Sequence, residues 1–457
     1  MKFKLSRCKN LDKLAHFLKL KWFAGTETVE EIKGELIKNG DGFVNMNDLN
    51  QSEKVYVEKE IFNGKEIKFN MLVKDFFKED GRTVNWEAIE MIPEFAKMKD
   101  CMQSKVWHKE GNVWNHTKLV TNEMCERLKD NEDLIYYQLM VVSAICHDLG
   151  KVPTTYWSNE KQDYVTENHG SVGDKITRRI LFEEDIFKRE FICWMVRWHM
   201  DFHHILMKNE DKIKRCLVRM SYSLSSVKNM LMLNLCDSLG SINDEETKDK
   251  LYERYNKIEA YAKELGCLDS NYTFGSWEDK YKFFINKESL LKEEKTFKED
   301  EFTSHVYVMI GLPGAGKSTY VERLVKDSKK LGRETVVISR DIIRSEMGLK
   351  GDKPMGNKKQ EDKVTEIFNE KFIQCLKERK DCVLDNTNLC KKYRDSYTRM
   401  MIEYKPTINY VYVEPKSIDK CKERREGMMP TEVIDRMFNY TEFPTCEECD
   451  NLFFERN

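Results

Sequence analysis

Gly311-Leu312-Pro313-Gly314-Ala315-Gly316-Lys317-Ser318 follows the apolar run Val306-Tyr307-Val308-Met309-Ile310 and precedes a helix-like stretch over 319–327. The spacing is G-x-x-x-x-G-K-[ST], set between a strand pattern and a helix pattern, which is the context a phosphate-binding loop needs. Glycines let successive backbone N–H groups turn inward around a phosphate, and the next helix adds the positive end of its dipole. Gly311, Gly314, Ala315, Gly316, Lys317, Ser318 and Thr319 are therefore the expected nucleotide-binding residues. Lys317 can bridge the β- and γ-phosphates and the Ser318 hydroxyl can ligate Mg²⁺, so a nucleoside triphosphate with Mg²⁺ is expected here.

Further β-branched runs at 335–338, 382–384 and 408–413 alternate with helical stretches. That alternation predicts an α/β domain with a parallel sheet. The run 335–338 leads into Ser339-Arg340-Asp341-Ile342-Ile343-Arg344, and the run 382–384 leads into Asp385-Asn386-Thr387-Asn388. Ligands bind at the carboxyl edge of such sheets. Asp341 is placed to take a proton from an acceptor hydroxyl, and Arg344, one helical turn on, to clamp an acceptor phosphate. Cys421-Lys422-Glu423-Arg424-Arg425-Glu426-Gly427 reads as a basic lid, and an arginine from it would stabilise the migrating phosphoryl group.

Upstream the texture changes. We expect four regions: a small mixed α/β part at 1–85, an all-α domain at 86–285, a charged linker at 286–302 and the P-loop domain at 303–457. Region 1–85 shows one hairpin signal, two strand patterns over 55–69 turning at Asn63-Gly64. In the all-α region, apolar residues recur at helical spacing over 134–146 and 229–239. Most of the chain's 9 histidines fall there, including His116, His147-Asp148, His169 and His199, with Asp237 ending a helix pattern. Imidazole and carboxylate groups suit Mn²⁺, Fe²⁺, Co²⁺, Ni²⁺ or Zn²⁺, and the two oxygens of Asp148 can bridge a pair of ions. His203 or His204 replaces His199 if the helix register differs.

Composition narrows the function classes. With 77 basic and 79 acidic residues the net charge is -2, which excludes nucleic-acid binding through bulk charge alone but leaves room for a local basic groove. Mean hydropathy is -0.66, and no stretch approaches a membrane span. The opening residues lack the apolar core of a secretory signal, and the 14 cysteines scatter among apolar residues, so reduced thiols and a cytoplasmic location are expected. Cys446-Glu447-Glu448-Cys449 has no second pair to complete a zinc ribbon and reads as two free thiols in an acidic tail.

The set of phosphate loop, S-R-D-x-x-R, D-N-T-N and late basic lid resembles the kinase domain of phage polynucleotide 5′-kinases. That resemblance implies transfer of the ATP γ-phosphate to a 5′-hydroxyl of RNA or DNA. It makes Asp341 the general base and Lys317 a catalytic residue, puts Arg344 on the acceptor phosphate and Asp385 on the acceptor side, and makes Arg424 or Arg425 the lid arginine. The H…HD…D pattern resembles the HD phosphohydrolase superfamily. Ile92-Pro93-Glu94-Phe95 and Trp107-His108-Lys109-Glu110-Gly111-Asn112-Val113-Trp114-Asn115-His116-Thr117 are similar to the approach to the HD domain of bacterial tRNA CCA-adding enzymes. By that resemblance His116, His147, Asp148 and Asp237 hold one ion, and His169 and His199, bridged by Asp148, hold a second. Asp148 is then catalytic, and Lys151 either holds the scissile phosphate or is a solvated surface lysine.

The whole layout resembles bifunctional HD–polynucleotide kinase end-healing enzymes, which implies removal of 2′,3′-cyclic, 2′- or 3′-phosphates at one site and 5′-phosphorylation at the other. RNA or DNA ends are the expected substrates and an RNA ligase the expected partner. Three other readings stay open at this stage. One is a kinase for a small metabolite or tRNA joined to a nucleotide phosphohydrolase, and another is an iron oxygenase in the HD part. The third is a nucleotide-gated RNA-binding module without turnover.

Overall fold

The computed structural model describes residues 2–4, 43–45, 71–104, 106–203, 205–241, 244–286, 304–349 and 358–457. They fall into two compact units, Met1–Asn70 and Met71–Asn457. In the first, Lys2–Lys4 pairs antiparallel with Phe43–Asn45. The hairpin expected at 55–69, most of the charged linker and His204 lie outside the described residues.

The second unit begins with a helical half. Helix α1, Val113–Arg127, is capped by Asn112, whose side chain accepts the Asn115 N–H. Helix α2, Leu134–Cys146, starts at Asp133, which accepts the Tyr136 N–H and so satisfies one orphan donor of the first turn. Every residue of α2 from Met140 to Cys146 is buried. A helix apolar on all sides belongs in the middle of a bundle, and this one delivers His147 and Asp148 there. Helices α3, His169–Ile180, and α4, Ile186–Trp198, pack so closely that a Cβ on Gly170 would lie 2.5 Å from the Arg197 carbonyl oxygen. Helix α5, Val227–Leu239, ends against α1, where a Cβ on Gly240 would lie 2.8 Å from the Val120 nitrogen.

One feature of this half departs from the all-helical expectation. Thr155–Ser158 and Asp163–Thr166 form an antiparallel hairpin, its Trp157 and Tyr164 rings 5.2 Å apart.

The other half is a five-stranded sheet of β1 His305–Ile310, β2 Thr335–Ile338, β3 Asp381–Leu384, β4 Thr407–Glu414 and β5 Asn451–Arg456. The spatial order is β2-β3-β1-β4-β5, and all the pairings are parallel. The strands β1, β3 and β4 are nearly continuous apolar runs because helices cover both faces. Helix α6, Lys317–Lys330, follows β1, and α7, Arg340–Glu346, follows β2 with Ser339 as its cap. Helix α8, Ile418–Arg424, follows β4 and carries the basic segment.

The two halves share an interior. Ile186 and Tyr281 from the helical side join the apolar core of the sheet, and Phe182 packs among Val413, Ile418 and Ile434. Arg189 is fully buried, with Nη1 2.8 Å from Glu414 Oε1 and Nε donating to Glu190 Oε1 at 2.8 Å. Glu190 also accepts from Arg178 at 2.8 Å, and Glu414 from Arg456 at 2.7 Å. The C-terminal segment is no solvated acidic tail. Glu447 and Glu448 are buried, the first accepting from Arg219 across the domains at 3.1 Å and the second from Arg394 at 2.7 Å.

Candidate functional site: a histidine–aspartate centre and a phosphate loop

Five elements converge around Asp148. His116 projects from α1, His147 and Asp148 from the end of α2, and Asp237 from α5. His169 opens α3, and His199 follows α4. All six side chains are buried. His116 Nε2 lies 2.8 Å from Asp237 Oδ1 and 3.8 Å from Asp148 Oδ2, while His147 Nε2 lies 3.5 Å and 3.2 Å from the same two oxygens. On the other side, Asp148 Oδ1 is 3.5 Å from His169 Nε2 and 3.7 Å from His199 Nε2, with the two imidazole nitrogens 3.1 Å apart. The donors form two triads, His116–His147–Asp237 and Asp148–His169–His199, each within 4.8 Å internally.

These groups suit divalent ions on their own chemistry. His147 Nε2 and Asp148 Oδ1 are buried without a hydrogen-bond partner, an expensive state that a cation relieves. His147 Nδ1 donates to the Ala144 carbonyl and His199 Nδ1 to the Val196 carbonyl, both at 2.7 Å, which leaves each Nε2 lone pair facing inward. Burial raises the Asp148 carboxyl, but the charges of His147 and Lys151 outweigh it and hold it well below the carboxylate range. Burial lowers the His147 imidazole, yet Asp148 and Asp237 push it up to about 10, so a cation would bind there by displacing the Nε2 proton. His169 is brought down to about 3 by burial and then by His199, so it is a neutral donor.

Lys151 is buried rather than solvated. Its Nζ lies 2.8 Å from Asp148 Oδ2 and donates to Gln103 Oε1 at 2.6 Å. His203 does not take the place of His199; its Nε2 lies 2.9 Å from Asp237 Oδ2, on the outer side of that carboxylate. Sequence reasoning missed Glu110, although it stands in the quoted approach segment. Its side chain is buried, with Oε1 2.7 Å from His108 Nδ1 and 2.9 Å from His116 Nδ1.

In the sheet half, Gly311, Gly314 and Gly316 have φ of 153°, 79° and 101°, and the last two values are open chiefly to glycine. Ala315 is buried, while Ser318 and Thr319 are exposed on the first turn of α6. Lys317 Nζ folds back onto the Gly311 and Leu312 carbonyls at 3.0 and 2.9 Å. Burial lowers its ammonium to about 8, and it also feels the charges of Asp385, Arg425 and Asp341. Burial raises the Asp385 carboxyl, against the pull of Lys317.

Asp341 is exposed and accepts from Arg344 Nη1 at 2.6 Å. Arg344 is gripped on its other edge by Glu361, at 2.9 and 2.8 Å, a residue the sequence reading passed over. Within D-N-T-N, Asn388 is structural: it is buried and donates to the Met309 carbonyl at 2.7 Å, latching the loop to β1. Of the two lid candidates, Arg424 donates to the Gly314 carbonyl at 2.8 Å. Arg425 stands close enough for its Cγ to meet a Cβ on Gly314 at 3.4 Å.

The HD domain family model matches residues 113–238, and the AAA domain family model matches residues 306–444. The chain is an enzyme that joins an HD domain to a P-loop, kinase-like domain. No curated protein sequence matches it. Among solved structures, it is similar at 19% identity to the Pnkp1/Rnl/Hen1 RNA repair complex, over 31% of this chain and 45% of that chain, with a TM-score of 0.28. A second Pnkp1/Rnl/Hen1 complex matches at 19% identity over 29% and 43%, with a TM-score of 0.26. A proposed kinase from Chloroflexus aurantiacus matches at 14% identity over 34% of this chain and 87% of that one, with a TM-score of 0.28. The match thus spans less than half the length of the first two. Among the described residues, no helix is long and apolar enough to cross a membrane.

Proposed function

We propose that the chain heals broken nucleic-acid ends, stripping a 2′,3′-cyclic, 2′- or 3′-phosphate in the HD domain and phosphorylating a 5′-hydroxyl in the P-loop domain. The reading rests on one pairing: two adjacent histidine–aspartate triads sit in the same compact unit as a phosphate loop whose lysine feels Asp341 and Asp385. Breakage that leaves a cyclic phosphate on one side leaves a 5′-hydroxyl on the other, and a ligase needs both corrected.

Mn²⁺, Ni²⁺, Co²⁺, Zn²⁺ or Fe²⁺ at the two triads would supply an activated water and charge stabilisation at the leaving oxygen. His116, His147 and Asp237 would hold one ion, His169 and His199 the other, with Asp148 shared between the two triads. Lys151, fixed by Gln103 beside Asp148, binds a phosphate oxygen. In the second reaction Lys317 would leave the loop carbonyls for the β- and γ-phosphates, and Ser318 would hold Mg²⁺, which supplies charge neutralisation on those phosphates. The 5′-oxygen bonds to the γ-phosphorus as the bond to the β-phosphate oxygen breaks. Asp341 takes the 5′-hydroxyl proton, Arg344 and Asp385 hold the acceptor strand, and Arg425 stabilises the migrating phosphoryl group.

The test uses end-labelled oligonucleotides carrying either a 5′-hydroxyl or a 2′,3′-cyclic phosphate. Lys317→Ala should abolish 5′-phosphorylation and spare phosphate removal, and Asp148→Ala should do the reverse. Turnover of mononucleotides in preference to oligonucleotides by the wild-type enzyme would refute the reading.

A further inference from the structure

The two ion positions differ in how their imidazoles are backed. His147 and His199 lean on neutral backbone carbonyls, of Ala144 and Val196. His116 instead faces a carboxylate, its Nδ1 2.9 Å from Glu110 Oε1 in a charge contact without hydrogen-bond alignment. Glu110 is itself held on the far side by His108, whose Nδ1 lies 2.7 Å from the same oxygen and whose ring centroid is 4.6 Å from that of His116. Glu110 Oε2 is buried with no hydrogen-bond partner, so the carboxylate's only polar commitments in the centre run through Oε1 to the two imidazoles.

The backbone builds this posture on purpose. Gly111, at φ 95°, turns the chain directly after Glu110. Gln103 N donates to the Gly111 carbonyl at 3.1 Å, and Val113 N to the Cys101 carbonyl at 2.9 Å, which clamps the segment to the start of α1.

We propose that Glu110 is a positioning residue that makes the His116–His147–Asp237 position the tighter of the two, so that this ion loads first and leaves last. A carboxylate 2.9 Å from Nδ1 favours the tautomer that presents the Nε2 lone pair and sets negative charge beside the ring, so the imidazole donates more strongly than one facing a neutral carbonyl. The inference rests on the two-ion reading of the centre and is independent of which phosphorylated end is the substrate.

The experiment is a competition titration of the full-length protein with Mn²⁺ or Ni²⁺ against a chromophoric chelator, with ion count by elemental analysis and thermal melting of the ion-free protein. Wild type should bind two ions with unequal affinity. Glu110→Gln keeps the shape and one acceptor but removes the charge. It should weaken the tighter ion by ~10- to 100-fold and leave the weaker one and the ion-free melting temperature near wild type. In His169→Ala, which keeps only the first position, adding Glu110→Gln should produce the same loss on the single remaining ion. A merely structural role would weaken both ions together and lower the melting temperature. That outcome, or an unchanged tighter ion, overturns the proposal. A wild-type count of one would overturn the two-ion centre and the proposal with it.

Discussion

Gly150→Ala should disable the HD site without touching the kinase. Gly150 has φ -71° and ψ -18°, a conformation any residue adopts, so backbone strain contributes nothing. The obstacle is space. A Cβ there would lie 1.9 Å from the His169 carbonyl oxygen and 2.6 Å from the Gly173 nitrogen, where real Cβ contacts stay beyond 3.0 Å. The start of α3 must therefore retreat by about 1 Å, and a displacement of that size in a catalytic group costs on the order of 10²-fold in rate. The retreat carries His169 away from Asp148 Oδ1 and His199, now 3.5 and 3.1 Å distant. Overpacking of this kind also costs about 1–3 kcal/mol of stability. The assay is hydrolysis of a 2′,3′-cyclic phosphate end, with bound-ion count alongside and 5′-phosphorylation as the internal control. A folded Gly150→Ala enzyme that keeps two ions and hydrolyses within a few-fold of wild type would refute the argument.

His169→Ala should reduce the bound-ion count from two to one and weaken hydrolysis, with elemental analysis as the check. Asp341→Asn should slow phosphoryl transfer by ~10²-fold or more with ATP affinity nearly intact; loss of ATP binding would move Asp341 to the nucleotide side. Glu361→Gln should loosen Arg344 and raise the KM for the 5′-hydroxyl strand more than it lowers kcat, as steady-state kinetics would report. Arg189→Ala leaves Glu190 and Glu414 short of a buried partner and should cost about 3–5 kcal/mol in denaturant unfolding, whereas an unshifted midpoint would contradict the burial argument.

Local pattern made much of this legible. The strand–loop–helix around Gly311 to Ser318 needs only neighbouring residues, and β1, β3 and β4 were visible as apolar runs because both faces of the sheet are covered. The edge strand Asn451–Arg456 escaped because its exposed positions mix Asn451 with the apolar Phe453, which blurs the alternation, and because its pairing partner is remote in sequence. The hairpin at 155–166 escaped because two four-residue strands inside helical surroundings leave no period to count. Histidine spacing marked the side chains that meet around Asp148, yet Glu110 and Glu361 were invisible. Each is marked only by its contact with another candidate residue, Glu110 with His116 and Glu361 with Arg344, and that relation exists only in three dimensions. Arg189, Glu190 and Glu414 were hidden for a related reason: charged residues read as solvated until a partner from the other half is seen to bury them.

The buried Arg189–Glu414 contact also has a bearing on how the two activities can be separated in the laboratory or by gene fission. A cut near residues 287–303 would look harmless on paper, since it spares both sets of reactive groups. It would strip Glu414 of one of its two arginines and uncover Phe182, Ile186 and Tyr281, leaving each fragment with a wet charge where it once had a dry one and an oily scar beside it. Such fragments should be recovered poorly when made alone and better when made together, because each is the other's missing wall.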